Sequence, residues 1–273
     1  VTNVVLVHGI WHGSWCWSLV TEELAARGIH SVAVDLDGHG LKLRSPAALF
    51  GRPFDPAAFA TEPSPLRDVT VAGSAETLVG QLRRIGRGRP SIVVAHSGGG
   101  AVATAAAELA PELFADLVYL AAFAPVSGVP VGVYLATPEN AGERVNGLLA
   151  ADPAAVGAFR MDLGTAAGRA AARETFYHDV EERLAEAALS YVSPEGPAAM
   201  AVETLTVTPE RYGSVPHSYI VCTEDRVVPA ALQRLFVREI DAVSAKSTRV
   251  VELVSSHSPF LSMPGKLVDA IIG

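Results

Sequence analysis

The stretch VVAHSGGGAVATAAAELA, residues 93–110, decides how this chain is read. An apolar run stops at His96 and Ser97, three glycines follow, and small residues then continue at helical spacing. A serine between a buried strand and a helix is either an ordinary helix N-cap or a nucleophile on a sharp strand-to-helix turn. Such a turn brings strand and helix backbones close together, so it needs small residues two before and two after the serine. Gly99 meets that need, and Ala95 adds one methyl group where glycine is usual. Gly98 and Gly100 allow closer approach still. The motif alone leaves both readings open; its partners elsewhere in the chain separate them.

Outward from this stretch, Val4–His8 is a short apolar run closed by Gly9 and reads as a buried strand. Ser31–Val34, Ser91–Ala95, Leu117–Ala122, Tyr219–Thr223 and Arg249–Val254 read the same way. Helical spacing marks Ser14–Arg27, with Ser14 as N-cap and Gly28 as stop, then Gly98–Leu109, Ala230–Ile240 and Gly265–Ile272. Strands alternating with helices predict a mostly parallel six-stranded sheet covered on both faces. Two stretches break the rhythm. Leu41–Asp68 carries Pro46, Pro53, Pro56, Pro63 and Pro65, and connections this long are commonly functional or mobile. Residues 127–210 show only helix-like patterns, such as VEERLAEAAL at 180–189. The expected organisation is a core of residues 1–126 and 211–273 with a helical cap, 127–210, inserted over the strand ends. Leu41–Asp68 is expected to touch that cap and narrow its entrance.

Composition bounds the function. The chain has 273 residues, 49% hydrophobic and 18% charged, which suits one globular unit with a sizeable core. Its net charge is −8 without any Lys/Arg block, which argues against a nucleic-acid partner. Lysine occurs only at 42, 246 and 266 amid abundant alanine, a bias that points to a GC-rich bacterial genome. Cys16 and Cys222 form neither a disulfide framework nor a metal cluster and read as buried, reduced packing residues. No apolar run approaches the roughly 18 residues that span a bilayer, and VTNVVLVHG lacks the charge pattern of a signal peptide. Cytoplasmic residence without a membrane partner is the expectation; a homodimer is compatible with the sequence but not specified by it.

In an open α/β sheet, ligands bind beyond the carboxyl ends of the strands. The residues found there are His8-Gly9-Ile10-Trp11-His12-Gly13 after the first strand, Ser97 after the third, Thr223-Glu224-Asp225 after the fifth and Ser255-Ser256-His257 after the sixth. The order serine, carboxylate, histidine is that of an α/β-hydrolase triad. A serine hydroxyl becomes a competent nucleophile when a base takes its proton, which His257 can do near neutral pH. Asp225 would hold the His257 tautomer and stabilise the imidazolium. Glu224 remains its rival, and a helix-capping role before Pro229 is also open. Oxyanion donors are expected from the backbone N–H groups of Gly98 and Ile10. His8, His12, His39 and His96 read as packing or loop-fixing residues, with no metal site and no cofactor implied.

These residues resemble the plant methylesterase and hydroxynitrile lyase family of the α/β-hydrolase superfamily. The likeness is carried by LVHGIWHGSWCW at 6–17, AHSGGG at 95–100, YLAAFAP at 119–125 and, most specifically, RYGSVPHSYIVCTEDRVVP at 211–229. It implies a six-stranded sheet, a helical cap, no cofactor, and either hydrolysis of small esters or cleavage of cyanohydrins. The lyases typically have Thr and Lys where this chain has Gly9 and Ser258, so the hydrolytic branch is the nearer match. That branch often has Met at the second position, and Leu41–Asp68 is longer than in the plant proteins.

The leading expectation is a serine hydrolase that cleaves a small carboxylic ester, such as a methyl ester, through an acyl-enzyme. Trp11, Phe123, Leu148, Phe159, Phe176 and Met200 are the candidates to line its pocket. Two alternatives are a lyase or cyclase of bacterial secondary metabolism with a polyketide-like substrate and His257 as base, and a non-catalytic small-molecule binding protein.

Overall fold

The computed structural model describes residues 3–273. Six strands form one sheet in the order β2-β1-β3-β4-β7-β8, with every pairing parallel. They are β1 (Val4–Val7), β2 (Ser31–Val34), β3 (Ser91–His96), β4 (Phe114–Leu120), β7 (His217–Cys222) and β8 (Arg249–Leu253). Every residue of β1 and β7 is buried, whereas β8, at the edge, alternates partly buried and exposed positions. Continuous apolar runs in central strands are what burial on both faces requires.

Helices flank the sheet. Helix α1 (Ser18–Ala26) packs on α11 (Pro264–Ile272), and α3 (Val71–Gly86) packs on α4 (Gly99–Leu109). Helix α9 (Ala230–Val243) packs on β7, and the short α10 (Pro259–Ser262) follows β8. Helix α3 is absent from the sequence reading. It buries Val71, Ala75, Leu78 and Leu82 along one stripe, with the Thr70 hydroxyl accepting from Gly73 N–H as its cap.

Ser14 is not the N-cap expected of it. The chain first makes a 3-10 turn at Ser14–Trp17, and the Ser14 N–H donates to Asp35 Oδ1 at 2.7 Å. Gly28, with φ of 71°, does end α1 in the left-handed region.

The chain between β4 and β7 contains α5 (Val131–Tyr134), α6 (Pro153–Val156), β5 (Ala158–Arg160), α7 (Ala166–Phe176), α8 (Glu182–Tyr191) and β6 (Glu195–Pro197). The expectation of helix-like structure alone fails here: β5 and β6 pair antiparallel, with Phe159 opposite Gly196. Three-residue strands are too short to show a period of two in the sequence.

Leu41–Asp68 holds 3-10 turns and α2 (Pro56–Thr61), whose N-cap Asp55 accepts from Ala57 and Ala58 N–H. This segment is tied to the β4–β7 connection. Fully buried Arg160 donates to Glu195, to the Phe59 carbonyl and, at 2.9 Å, to the Glu62 carbonyl, and its guanidinium lies 4.9 Å from the Phe59 ring centroid. Ser64 donates through Oγ to Glu195 at 2.9 Å and through N–H to the Val156 carbonyl at 2.8 Å. Among the described residues, no helix is long and apolar enough to cross a membrane.

Candidate active site

Sheet register brings the first two loops together. Strands β1 and β3 are neighbours, and Val7 pairs with Ala95. One residue on, His8 follows beside His96; two on, Gly9 follows beside Ser97. The chain leaves β1 toward β2 on one side while β3 lies on the other, so the strand order reverses here. That reversal is where open α/β sheets form a ligand crevice.

Ser97 adopts φ of 52°, a left-handed conformation that costs a non-glycine residue roughly 1–3 kcal/mol. The surrounding backbone holds it there: Ser97 N–H donates to the Leu120 carbonyl, and its carbonyl accepts from Gly100 and Phe123 N–H. Trp11 (64°) and Ala121 (44°), on the loops after β1 and β4, share the conformation. The close approach inferred from the glycines is severe. A Cβ on Gly99 would lie 2.3 Å from the His8 carbonyl oxygen, and one on Gly9 would lie 2.6 Å from Ser97 Cβ. Neither Ile10 N–H nor Gly98 N–H donates to a main-chain carbonyl among the described residues. The two residues adjoin, since a Cβ on Gly98 would stand 2.7 Å from Ile10 Cγ1.

At the other pair of loops, Cys222 pairs with Leu253, which sets the turns after β7 and β8 side by side. His257 Nδ1 lies 2.7 Å from Asp225 Oδ2, with both side chains buried. Asp225 Oδ1 accepts from Val227 and Val228 N–H at 2.7 and 3.0 Å, and Oδ2 also accepts from Gln233 Nε2 at 3.3 Å. Glu224 is exposed and meets the histidines only through its backbone carbonyl, which accepts from His178 Nε2. Asp225 is thus the carboxylate on His257; it does not cap α9, whose N-cap is Pro229 without a side-chain bond, and it instead accepts from the N–H groups of the turn before that helix.

The four other histidines of these loops fix structure. Burial holds His8 and His96 well below the ordinary imidazole range and takes His12 and His39 down to about 4, so all four are neutral at pH 7. Neutral His96 donates from Nε2 to the His257 carbonyl at 2.9 Å, its ring 4.3 Å from that of His257. Neutral His12 donates from Nδ1 to the Ile10 carbonyl and accepts at Nε2 from the Tyr177 hydroxyl.

Residues 174–179, at the end of α7 and just beyond it, hold both late loops. Asp179 Oδ2 accepts from Ser256 N–H at 2.9 Å and from Ser262 Oγ, while the Phe176 carbonyl accepts from Ser256 Oγ. His178 reaches Glu224, and Glu174 pairs with Arg226. Sequence reasoning missed this clamp and the His96 bond, because partners 77 or 161 residues apart leave no local pattern.

An apolar cavity of about 60 Å³ opens beside Ser97. Of the pocket candidates, Trp11, Phe123, Phe159 and Met200 line it together with Ile10. Phe176 does not; it stands behind, its ring 5.7 Å from Trp11 and 6.4 Å from His257. Leu148, in the 3-10 turn Asn146–Leu148, borders a different cavity with Gly168 and Ala172, while the next residue, Leu149, borders both. Glu143 and Asn146 add polar groups at the rim, with Glu143 bonded to the Val145 and Asn146 N–H groups. Among the described residues, no group of three or more His, Cys, Asp or Glu side chains is placed to hold a metal ion.

Comparison with known proteins agrees with the sequence resemblance. The model of the alpha/beta hydrolase family matches residues 4–270. Methylesterase 7 of Arabidopsis thaliana is 30% identical over 98% of this chain and 94% of its own length. A pyrethroid hydrolase of Sphingobium wenxiniae is 27% identical over 99% of this chain and 86% of its own. The crystal structure of a pyrethroid hydrolase superposes with a TM-score of 0.76 at 23% identity, covering 99% of this chain and 96% of that one.

Proposed function

The chain belongs to the alpha/beta hydrolase family, and on that premise we propose that it hydrolyses a small carboxylic ester through an acyl-enzyme on Ser97. One observation carries the reading: strained Ser97 opens onto an apolar cavity while His257, its ring 4.3 Å from that of the adjoining His96, is tied to a buried carboxylate. Ser97 Oγ attacks the ester carbonyl as His257 Nε2 takes its proton. Negative charge grows on the carbonyl oxygen, where the free N–H groups of Ile10 and Gly98 receive it. Each such donor contributes about 3–4 kcal/mol to the transition state. His257 returns the proton to the departing alkoxide, and water, activated by the same imidazole, releases the acid. Asp225 keeps the proton of neutral His257 on Nδ1 and stabilises the imidazolium.

Cavity size favours small esters. At roughly 30 Å³ per water, the 60 Å³ beside Ser97 corresponds to about two waters. In this reading residues 127–210 act as a cap on the core of 1–126 and 211–273, and the Arg160 contacts pin Leu41–Asp68 to it. Cyanohydrin cleavage, the other chemistry of the resembled family, loses support at Ser258. That residue is fully buried, its hydroxyl has no partner among the described residues, and it brings no cation to neutralise a departing cyanide.

A panel of p-nitrophenyl and methyl esters, with Ser97→Ala as control, tests the proposal. The expected result is turnover of short esters that the substitution abolishes. No turnover of any ester by the unaltered protein rejects the hydrolytic reading. Conversion that survives Ser97→Ala favours a chemistry in which His257 alone acts as base.

A further inference from the structure

Gly98 has no side chain, and its neighbours close over it. A Cβ there would lie 2.7 Å from Ile10 Cγ1 and 3.0 Å from Met200 Sδ, so these two side chains meet above the glycine. They also divide the space around the nucleophile. Ile10 and Met200 line the 60 Å³ cavity that touches Ser97, and they line a second cavity of about 40 Å³ that reaches Gly98 and Gly99. The second cavity is walled by Leu36, Val69, Val71, Val102 and Pro197. Several of its polar groups are engaged elsewhere, although His39 Nε2 is buried without a partner among the described residues. Asp37 accepts from Thr77 and Lys42, Thr70 Oγ1 accepts from Gly73 N–H, and His39 Nδ1 donates to the Asp37 carbonyl. What the wall offers a ligand is therefore chiefly apolar surface.

The two partition residues differ in stiffness. Ile10 is β-branched and restricted at χ1, on a loop whose carbonyl is held by His12. Met200 is unbranched, with several rotatable bonds and a soft thioether, and sits in the short 3-10 turn Ala199–Ala201 beside exposed Val202. A turn of the Met200 side chain would join the cavities into one cleft running past the oxyanion donors.

We propose that the second cavity is a substrate subsite for the apolar far end of an acyl chain, and that Met200 is the partition the chain displaces. The assignment rests on the ester-hydrolase reading and follows from where the proton must go. A leaving alkoxide has to lie within reach of His257. The first cavity includes Val227, from the Asp225 turn, and Trp11, which packs on Phe176 beside His257. The second takes no residue from the Asp225 or His257 loops. The alcohol belongs to the first cavity, and a longer acyl arm turns past Met200 into the second.

Straight-chain methyl esters from acetate to octanoate test this, with acid release followed by a pH indicator. Acetate esters of alcohols of rising length form the matching series. In the unaltered protein, kcat/KM is expected to rise about fourfold for each methylene that enters the subsite, from roughly 0.8 kcal/mol per buried CH₂. Val69→Phe and Val102→Ile fill the cavity from two different elements, the second by a single methyl group, and thermal melts establish that each variant is folded. Both should flatten the acyl-length profile and leave the slope of the alcohol series as it was. Met200→Ala should raise the long-to-short acyl ratio. An acyl profile unchanged in both filled variants, or a flattened alcohol series instead, overturns the subsite while the hydrolytic reading stands. If no ester of either series is cleaved, both fall together.

Discussion

Asp225→Asn exchanges one carboxylate oxygen for an NH₂ group, and the hydrogen bonds dictate its outcome. Asp225 Oδ1 accepts from two buried N–H groups, Val227 and Val228, while Oδ2 faces His257 Nδ1 and Gln233 Nε2. An asparagine has one acceptor oxygen and one donor NH₂. If its NH₂ faced the two backbone donors, two buried N–H groups would lose their partners at about 1–3 kcal/mol each. The amide oxygen is therefore expected to stay with Val227 and Val228, turning the NH₂ toward His257. That NH₂ can only donate, so His257 Nδ1 must become the acceptor and its proton must move to Nε2. The nitrogen meant to take the Ser97 proton is then already protonated. In serine proteases with this arrangement the same change lowers kcat about 10⁴-fold, or roughly 5.4 kcal/mol at 1.36 kcal/mol per decade. Single-turnover hydrolysis of a methyl ester from pH 6 to 9 should show a loss of that size in Asp225→Asn, with KM little altered. Glu224→Gln, at an exposed side chain, should stay within about twofold of the unaltered protein. A loss below tenfold in Asp225→Asn, or a comparable loss in Glu224→Gln, would refute the assignment of the acid.

Two glycine substitutions should move stability in opposite directions. Gly99→Ala drives its Cβ to 2.3 Å from the His8 carbonyl oxygen and should leave little folded protein at 37 °C, whereas exposed Gly80 in α3 has nothing within 4 Å of its Cβ, so Gly80→Ala should add about 1 kcal/mol, both read by thermal melts. Arg160→Leu strands buried Glu195 and uncaps the Phe59 and Glu62 carbonyls; a loss of about 3–5 kcal/mol in urea unfolding, with faster proteolysis within 41–68, is expected. Burial lowers His12 and His39 to about 4, below their unfolded value near 6.5, so the unfolded chain binds protons first as pH falls. The stability they contribute is complete above pH 6.5 and is lost toward pH 4, by about 1–2 kcal/mol each between pH 7 and 5. A urea midpoint that holds or rises over that range contradicts this.

The parts legible in the sequence are those in which local pattern and tertiary role coincide. Apolar runs such as Val4–Val7 and Val93–Ala95 are strands because both faces are buried, and burial on both faces is what an uninterrupted run records. Ser97 was visible because its turn needs several small residues in a row, and Asp225 and His257 because each follows a strand that ends at the same crevice. The lining drawn from residues 127–210 was legible only in part: Phe159 and Met200 border the cavity beside Ser97, but Leu149 does so rather than Leu148, at a 3-10 turn that leaves no helical period. Nor could the sequence show that Asp35, twenty-one residues on, takes the N–H of Ser14. The stripe of α3 was there to be read, at Val71, Ala75, Leu78 and Leu82, but it emerges from a proline-rich run that masks its start. The clamp of Asp179 on Ser256 is long-range and polar, the kind of contact that only the folded chain reveals.

The central claim is that Ser97 carries the acyl group. Rapid mixing with a slowly deacylating ester, an acid quench and mass spectrometry of the protein and its peptides test it most directly. The account predicts a mass increase equal to the acyl group on the peptide containing Ser97, formed in a burst with the first equivalent of alcohol and absent from Ser97→Ala. Ester consumed at full rate with no adduct at Ser97, or an undiminished rate in Ser97→Ala, would contradict it.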